Sequence, residues 1–499
     1  MIKFFKLCLC EYTKIMKKAS TKVMIVLLIL TLFLAAGITQ LIKVMDSTFY
    51  YQDGNESQNQ IDFEIDALKS RLNDSNLDTS TKNEIQAELE MYELAKQYNI
   101  NIFSYTDEKY WKNSILYDIM DAKIDEYNLK SLQSEPKYNE AKNNTNKLIE
   151  IFKNDDYNSY IELQKNNLKK QLDDKTISQE DYDIKLKSLE LQEKYDIGKT
   201  NTKEDVWKSE LVTEIESLQQ NINSGINKDT GKVLKEEDLN KAKEKIKINE
   251  YRLEHNLKPV FSQYSSDTGS SRKTYDYLVS SFSVAILTIL TIIIAGTSIS
   301  TEISKGTIKF WAFTPNKRWK ILLSKLCVIT FMLLFTTVAI TLLSDLVGNL
   351  FFGSTDTAPY LYVQNNEVQE INYILYTLLL NLAKSLEVFI YLLFAMMLSV
   401  VTRNTAVAVG ISIATDLGSS MFMPILNTFI KKDWIKFIPF NNFNLAQRIF
   451  VNDTSYIAMN MQSQMSNNVS LKFSLILLTV CAVLMIITMF DSFKKRDIL

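Results

Sequence analysis

Residues 299–325, ISTEISKGTIKFWAFTPNKRWKILLSK, hold six Lys/Arg against one Glu, with one Gly, one Pro and two Trp. A long apolar run lies on each side, at 278–299 and 321–347. A spanning helix needs about 20 mostly apolar residues to cross a hydrocarbon core of about 30 Å, and both runs meet that length. The charged stretch therefore reads as a turn at a membrane surface. Further runs of spanning length lie at 23–42, 371–400, 405–429 and 472–490, which gives six. The run 371–400 is long enough to tilt or to project beyond the bilayer.

Charge explains what the runs leave out. The chain of 499 residues carries a net charge of only −2, but residues 46–276 hold 46 acidic against 33 basic side chains. That region alone is −13 and the remainder is +11. Lys and Arg near span ends favour the cytoplasmic side. They gather before the first span (Lys14, Lys17, Lys18, Lys22), between the second and third (Lys305, Lys309, Lys317, Arg318, Lys320), at Arg403, and after the sixth (Lys494, Lys495, Arg496). Residues 348–370 have none. The pattern predicts both termini in the cytoplasm and residues 46–276 outside a bacterial cell membrane. Only residues 430–471, with Lys431, Lys432, Lys436 and Arg448, run against it.

The expected fold is all-α: a six-helix transmembrane bundle carrying a large helical, coiled-coil-like hairpin domain between its first and second spans. Residues 1–22 mix Phe4, Phe5, Leu7, Leu9, Tyr12, Ile15 and Met16 with six lysines, the pattern of an interfacial amphipathic helix. An ordinary basic flank is the plainer reading. The first span is placed at 23–45. Its "LAAG" and basic leader resemble a signal peptide, but the apolar run is long enough to span and is read as retained. Within the polar domain, 46–276, Ile61, Ile65, Leu68 and Leu72 repeat at helical spacing, and Ser178 with Asp181 reads as a helix cap. Three stretches look alike: LAKQYNI (94–100), LQEKYDI (191–197) and YRLEHNL (251–257). Narrow apolar stripes predict long thin hairpins rather than a thick core; disorder is the competing reading. The rest, 277–499, contains the other five spans, a cytoplasmic loop at 300–320 and the segment 430–471.

With that topology, TEISKGTIKFWAFTPNKRWKILLSK resembles the first cytoplasmic loop of type-2 ABC-transporter permeases. In that family an acidic residue, "KGT", a short apolar run, a Pro and a basic residue precede the third span. Here these are Glu302; Lys305, Gly306 and Thr307; residues 308–313; Pro315; and Arg318 with Lys325. The amphipathic start, the six spans and WIKFIPFNN (434–442) before the last span extend the resemblance over about 270 residues. It implies that the loop is a coupling helix docking on a separate cytoplasmic ABC ATPase. It implies too that a second permease copy or a paralogue completes a dimeric exporter. ATP and Mg would enter only through the partner ATPase, with no cofactor in this chain. In similar permeases the segment 430–471 is a pair of short re-entrant helices in the outer leaflet; an ordinary amphipathic loop is the alternative. The departure is the loop of about 230 residues after the first span, which short-loop members lack.

Individual residues sharpen this. No G-x-x-x-x-G-K-[ST] occurs, so the chain carries no P-loop of its own. No catalytic constellation is found, four Cys (8, 10, 327, 481) and one His make no metal set, and nothing indicates nucleic acid. In the loop, Gly306 permits a bend, Pro315 stops a helix, and Glu302, Lys305 and Lys309 offer charge to a partner beside the apolar Trp311. The alternative is that these cations fix topology and bind membrane lipids. Lys384 and Glu387 stand three apart in the fourth span and Asp416 lies in the fifth. They line a polar path or hold the bundle, the first two otherwise forming a self-neutralised pair. NKDTGKVLKEED (227–238) resembles a calcium loop, but Gly231 falls one position early, and a turn before a helix fits better. An ATPase-independent receptor or secretion scaffold is the rival from another class.

Overall fold

The computed structural model describes residues 2–74, 77–103, 111–131, 135–199, 206–228, 231–259, 271–307, 317–353, 359–430, 433–450 and 469–495. The chain forms two compact units. The first comprises Met1–Leu41, Ser270–Tyr360 and Glu370–Leu499; the second comprises Ile42–Gly269 and Leu361–Gln369.

The first unit opens with α1 (Ile2–Lys17), broken at Lys18 from α2 (Ala19–Leu72). Then come α10 (Ser271–Thr297), the short α11 (Ser300–Ser304), α12 (Arg318–Phe352), α13 (Tyr373–Thr402) and α14 (Thr405–Phe429). Two 3-10 turns, Asp433–Phe437 and Pro439–Asn442, lead to α15 (Leu445–Ile449) and α16 (Leu471–Lys495). Among the described residues, six stretches are long and apolar enough to cross a membrane: Ala19–Val44, Thr274–Ser304, Arg318–Phe352, Tyr373–Thr402, Thr405–Asn427 and Leu471–Lys495. They match the six runs within a few residues. The core between them includes Leu290, Leu322, Val388, Leu392, Met396 and Met489. Outward-facing Phe335, Leu350, Met421 and Phe429 are more than half exposed, an apolar surface that lipid rather than water must cover. Gly296 packs closely on α14: an added Cβ would sit 2.8 Å from Val409 Cγ2 and 3.4 Å from the Val409 amide nitrogen.

The second unit takes the end of α2 and adds α3 (Thr79–Gln97), α4 (Trp111–Ser131), α5 (Glu135–Lys153), α6 (Tyr157–Asp173), α7 (Gln179–Lys194), α8 (Val206–Ser224) and α9 (Glu236–Glu254). The three look-alike stretches turn out to be one capping device. Asn99, Asp196 and Asn256 all have φ near +50°. The next amide donates five residues back, Ile100 to Ala95, Ile197 to Gln192 and Leu257 to Arg252, each at 2.9 Å. This is the Schellman motif, with Asn or Asp in the left-handed position and an apolar residue after it. Ser178 Oγ accepts from the Asp181 amide at 3.1 Å, the expected cap.

The chain is mostly helical, as expected, and three details go beyond that expectation. The chain is not purely helical: Ile226–Asn227 pairs with Lys232–Val233, and Tyr360–Gln364 with Glu367–Ile371. In the second hairpin Asn365 and Asn366 both have positive φ, as a two-residue type I′ turn requires. The boundary at 45/46 falls inside the continuous helix α2, because polarity changes there without a helix breaker. The polar domain has a broader core than thin hairpins would allow. Trp111, Phe152, Tyr157 and Tyr160 are buried together with Ile115, Leu116 and Ile161, and such large rings widen the contact between helices. Of the calcium-like stretch, Asn227 pairs with Lys232 in the first hairpin and α9 starts at Glu236, while residues 229–230 lie outside the described residues.

Candidate functional site

Where α1, α11 and the start of α12 meet, four charges close into a ring. Lys325 Nζ donates to Glu11 Oε2 at 2.7 Å and to Glu302 Oε1 at 2.9 Å. Lys14 Nζ donates to Glu302 Oε1 at 2.6 Å and to Glu11 Oε1 at 3.2 Å. Only 3% of the Lys325 side chain is exposed. A buried pair adds little net stability, but removal of one partner strands a charge, which costs about 3–5 kcal/mol. Burial disfavours the Glu11 carboxylate, yet the charges and hydrogen bonds of Lys325 and Lys14 hold it below the usual range. Burial opposes the Lys14 cation as well, and Glu302 and Glu11 raise it. Lys18, beside the ring, is pushed down by burial and then by the charge of Lys325.

The basic turn starts at this ring. Gly306 adopts φ +67° just past α11, the bend its position predicts, and Thr307 Oγ1 bonds back to the Glu302 carbonyl at 3.2 Å. Lys305, Thr307, Lys317, Arg318 and Trp319 are exposed. Lys309, Trp311 and Pro315 lie outside the described residues. The expectation for Glu302 is corrected: its carboxylate points inward to Lys14 and Lys325 rather than outward with Lys305, since only those cations can balance it at 9% exposure.

A second polar cluster lies inside the bundle. Arg272, 1% exposed, donates through Nε to Asp276 Oδ2 at 2.9 Å and through Nη2 to Asp345 Oδ1 at 2.6 Å. Tyr373 donates its hydroxyl to the same Asp276 oxygen. One turn past Asp276 on α10 and three turns past Tyr373 on α13, Lys384 Nζ donates to Ser280 Oγ at 2.5 Å. Ser280 in turn donates to Asn381 Oδ1 at 2.9 Å, and Asn381 Nδ2 donates to Thr341 Oγ1 at 3.0 Å. A cavity of about 30 Å³ opens beside them, with room for a single water; Ser283 Oγ lines it and has no partner among the described residues. Arg272 and Asp276 were hidden in the sequence because charge counting assigned them to the polar region. Their signal was R-x-x-x-D one turn before an apolar run.

Lys384 and Glu387 share a helix but serve different neighbours. Glu387 Oε1 accepts the Leu445 amide at 2.9 Å, pinning α15 to α13. In α14, Ser419 Oγ donates to the Asp416 carbonyl at 2.9 Å and lies 2.7 Å from the Tyr391 hydroxyl of α13. In the segment 430–471, Arg448 donates to the Val469 carbonyl at 2.5 Å, to Ser474 Oγ at 2.9 Å and to the Asn441 carbonyl at 3.2 Å. It thereby ties the second 3-10 turn to α16; residues 451–468 lie outside the described residues. Among the described residues no group of His, Cys, Asp and Glu could hold a metal ion.

Residues 249–499 match the family described as "Protein of unknown function (DUF2705)". The uncharacterized protein YhcI of Bacillus subtilis (strain 168) is 30% identical over 296 residues, covering 58% of this chain and 84% of that protein. The chain belongs to the DUF2705 family. Another relative, the uncharacterized membrane protein YdbK of the same organism, is 30% identical over 213 residues, 43% of this chain and 78% of its own length. No solved structure matches. The DUF2705 match takes in α10 to α16 and so includes Glu302, Lys325 and the intramembrane cluster, whereas Glu11 and Lys14 precede it. With its six apolar helices, this DUF2705 chain is a multi-pass membrane protein.

Proposed function

We infer that the chain is the membrane-spanning permease subunit of a bacterial ABC exporter of the type-2 kind, driven by a separate ATPase. The observation that carries this is the four-charge ring. It joins the amphipathic α1, the end of the second span and the start of the third, directly beside an exposed basic turn. A force applied at Lys305 or Arg318 reaches three elements at once through contacts that break only at high cost. The loop's resemblance to a coupling helix gives that force a source, and the missing P-loop requires the source to be another chain.

In this reading the turn and both termini are cytoplasmic and residues 46–276 are extracytoplasmic. One contact supports the arrangement. Lys247 Nζ donates to the Asn366 carbonyl at 3.2 Å, so the loop after the third span belongs with the large polar region, as an alternating six-span path demands. Lys384, Glu387 and Asp416 keep the bundle polar inside and brace α15 and α14, and a second permease copy or paralogue completes the path. The candidate substrates of such an exporter are peptides, lipids and ions. The size and separate cores of the Ile42–Gly269 unit favour one rival, an ATPase-independent receptor or scaffold. Affinity purification of tagged full-length protein from its native membrane separates the two. The exporter reading expects an ABC ATPase in the eluate, and its reproducible absence would leave the receptor.

A further inference from the structure

The charged ring borders a cavity of about 380 Å³ whose lining includes Lys14, Lys18, Lys305, Lys325, Glu11 and Glu302. Lys14 and Lys325 are balanced by the two glutamates. Lys18 and Lys305 have no ion-pair partner among the described residues, and Lys18 Nζ makes one long contact, 3.5 Å to Thr297 Oγ1. The lining therefore holds two unbalanced positive charges. Against them, Glu302 Oε2 is buried and has no hydrogen-bond partner among the described residues. A buried acceptor left without a donor costs about 1–3 kcal/mol or more.

Together these describe a ligand. It carries an anion for Lys18 and Lys305, and a neutral donor for Glu302 Oε2. An ammonium donor suits that oxygen poorly, because Lys14 and Lys325 already crowd the other oxygen of the same carboxylate. Position indicates the source. Lys18 immediately precedes the first span, Lys305 immediately follows the second, and the third begins at Arg318. Both cations thus stand at the depth where lipid phosphates lie. Exposed Phe5 and Leu9 on α1 provide the apolar face of an interfacial helix.

We propose that this cavity binds the headgroup of an anionic phospholipid with a polyol substituent. The phosphodiester sits between Lys18 and Lys305, and a headgroup hydroxyl donates to Glu302 Oε2. Such a lipid clamps α1 against α11 and α12. The proposal rests on the ring's geometry and is independent of the exporter reading.

Native mass spectrometry of the full-length protein in detergent tests it. The protein is titrated with phosphatidylglycerol, phosphatidic acid, phosphatidylcholine and soluble glycerol 3-phosphate. Phosphatidylglycerol should bind at least about tenfold more tightly than phosphatidylcholine, and more tightly than phosphatidic acid, which lacks the polyol. The Lys18→Gln/Lys305→Gln variant should lose about tenfold, while Lys494→Gln on α16 keeps wild-type binding. If the double variant unfolds at lower temperature, Lys305→Gln alone, at an exposed position, supplies the readout. Equal binding of phosphatidylglycerol and phosphatidylcholine, or undiminished binding by the lysine variants, overturns the site. Equal binding of phosphatidic acid overturns the Glu302 contact. Glycerol 3-phosphate binding as tightly as the lipid overturns the membrane source.

Discussion

Lys187 in the helical unit and Lys325 in the membrane unit make ion pairs of similar length. Lys187 Nζ lies 2.5 Å from Glu250 Oε1 with 45% of its side chain exposed, and Lys325 Nζ lies 2.7 Å from Glu11 Oε2 with 3% exposed. Water screens the first pair, and such pairs contribute about 0–1 kcal/mol. The second is surrounded by protein, serves two carboxylates and cannot be released cheaply. The helical unit scatters similar pairs over its surface, at Lys69–Glu93 and Lys165–Glu193 among others. The membrane unit instead gives its most deeply buried cations two carboxylates each, Lys325 with Glu11 and Glu302, and Arg272 with Asp276 and Asp345. Exposed pairs therefore mark solubility in one unit, and buried, shared ones mark a working part in the other.

The difference can be broken by mutation, most severely first. Lys325→Met should destabilise the membrane unit by about 3–5 kcal/mol, because Glu11 and Glu302 are left with only Lys14 between them, and thermal unfolding in detergent would read this. Glu11→Gln combined with Lys325→Met should recover part of the loss. Gly348→Ala should cost about 1–3 kcal/mol, since the new Cβ would stand 2.5 Å from Arg272 Cζ in a side chain held by two aspartates. In the helical unit, Asn99→Ala should cost about 1 kcal/mol by placing a side chain without local hydrogen bonding at φ +54°. Lys187→Ala should change stability by less than about 0.5 kcal/mol.

Acid distinguishes Glu11 from Asp118 by sign. Glu11 titrates below its unfolded value, so its contribution is full above the unfolded pKa and is lost as pH falls through the folded one. Asp118, in α4, accepts from Tyr160 Oη at 3.0 Å and Gln164 Nε2 at 2.7 Å, and burial raises its pKa. Its contribution is present below the unfolded pKa and is lost as pH rises through the folded value. Glu11→Gln should therefore weaken the acid sensitivity of unfolding, whereas Asp118→Asn should remove a loss that develops on going from acid to neutral pH.

The spans were legible because a bilayer demands a fixed apolar length, and six runs met it. The ends of α3, α7 and α9 were legible as a repeated pattern, although only backbone geometry explained it: Asn or Asp in the left-handed position followed by Ile or Leu. The hairpin at 360–371 carried a readable Asn365-Asn366 turn between β-rich stretches, but the surrounding helical pattern overrode it. The ring was not legible. Glu11 and Lys325 are 314 positions apart, and no local spacing links them. Glu302 was singled out for its place in a loop motif, and only packing showed that it faces inward.

The central claim is that the exposed turn after α11 receives work from a separate ATPase while the buried ring passes it on. ATP hydrolysis by the complex purified through a tag on this chain tests that claim, with Lys305→Glu/Arg318→Glu compared against the unaltered protein. Both residues are exposed and lie outside the ring, so the variant should fold normally. The unaltered complex should hydrolyse ATP, and the variant should lose the activity by at least about tenfold through failed docking. A complex without ATP hydrolysis, or a variant as active as the parent, would contradict it.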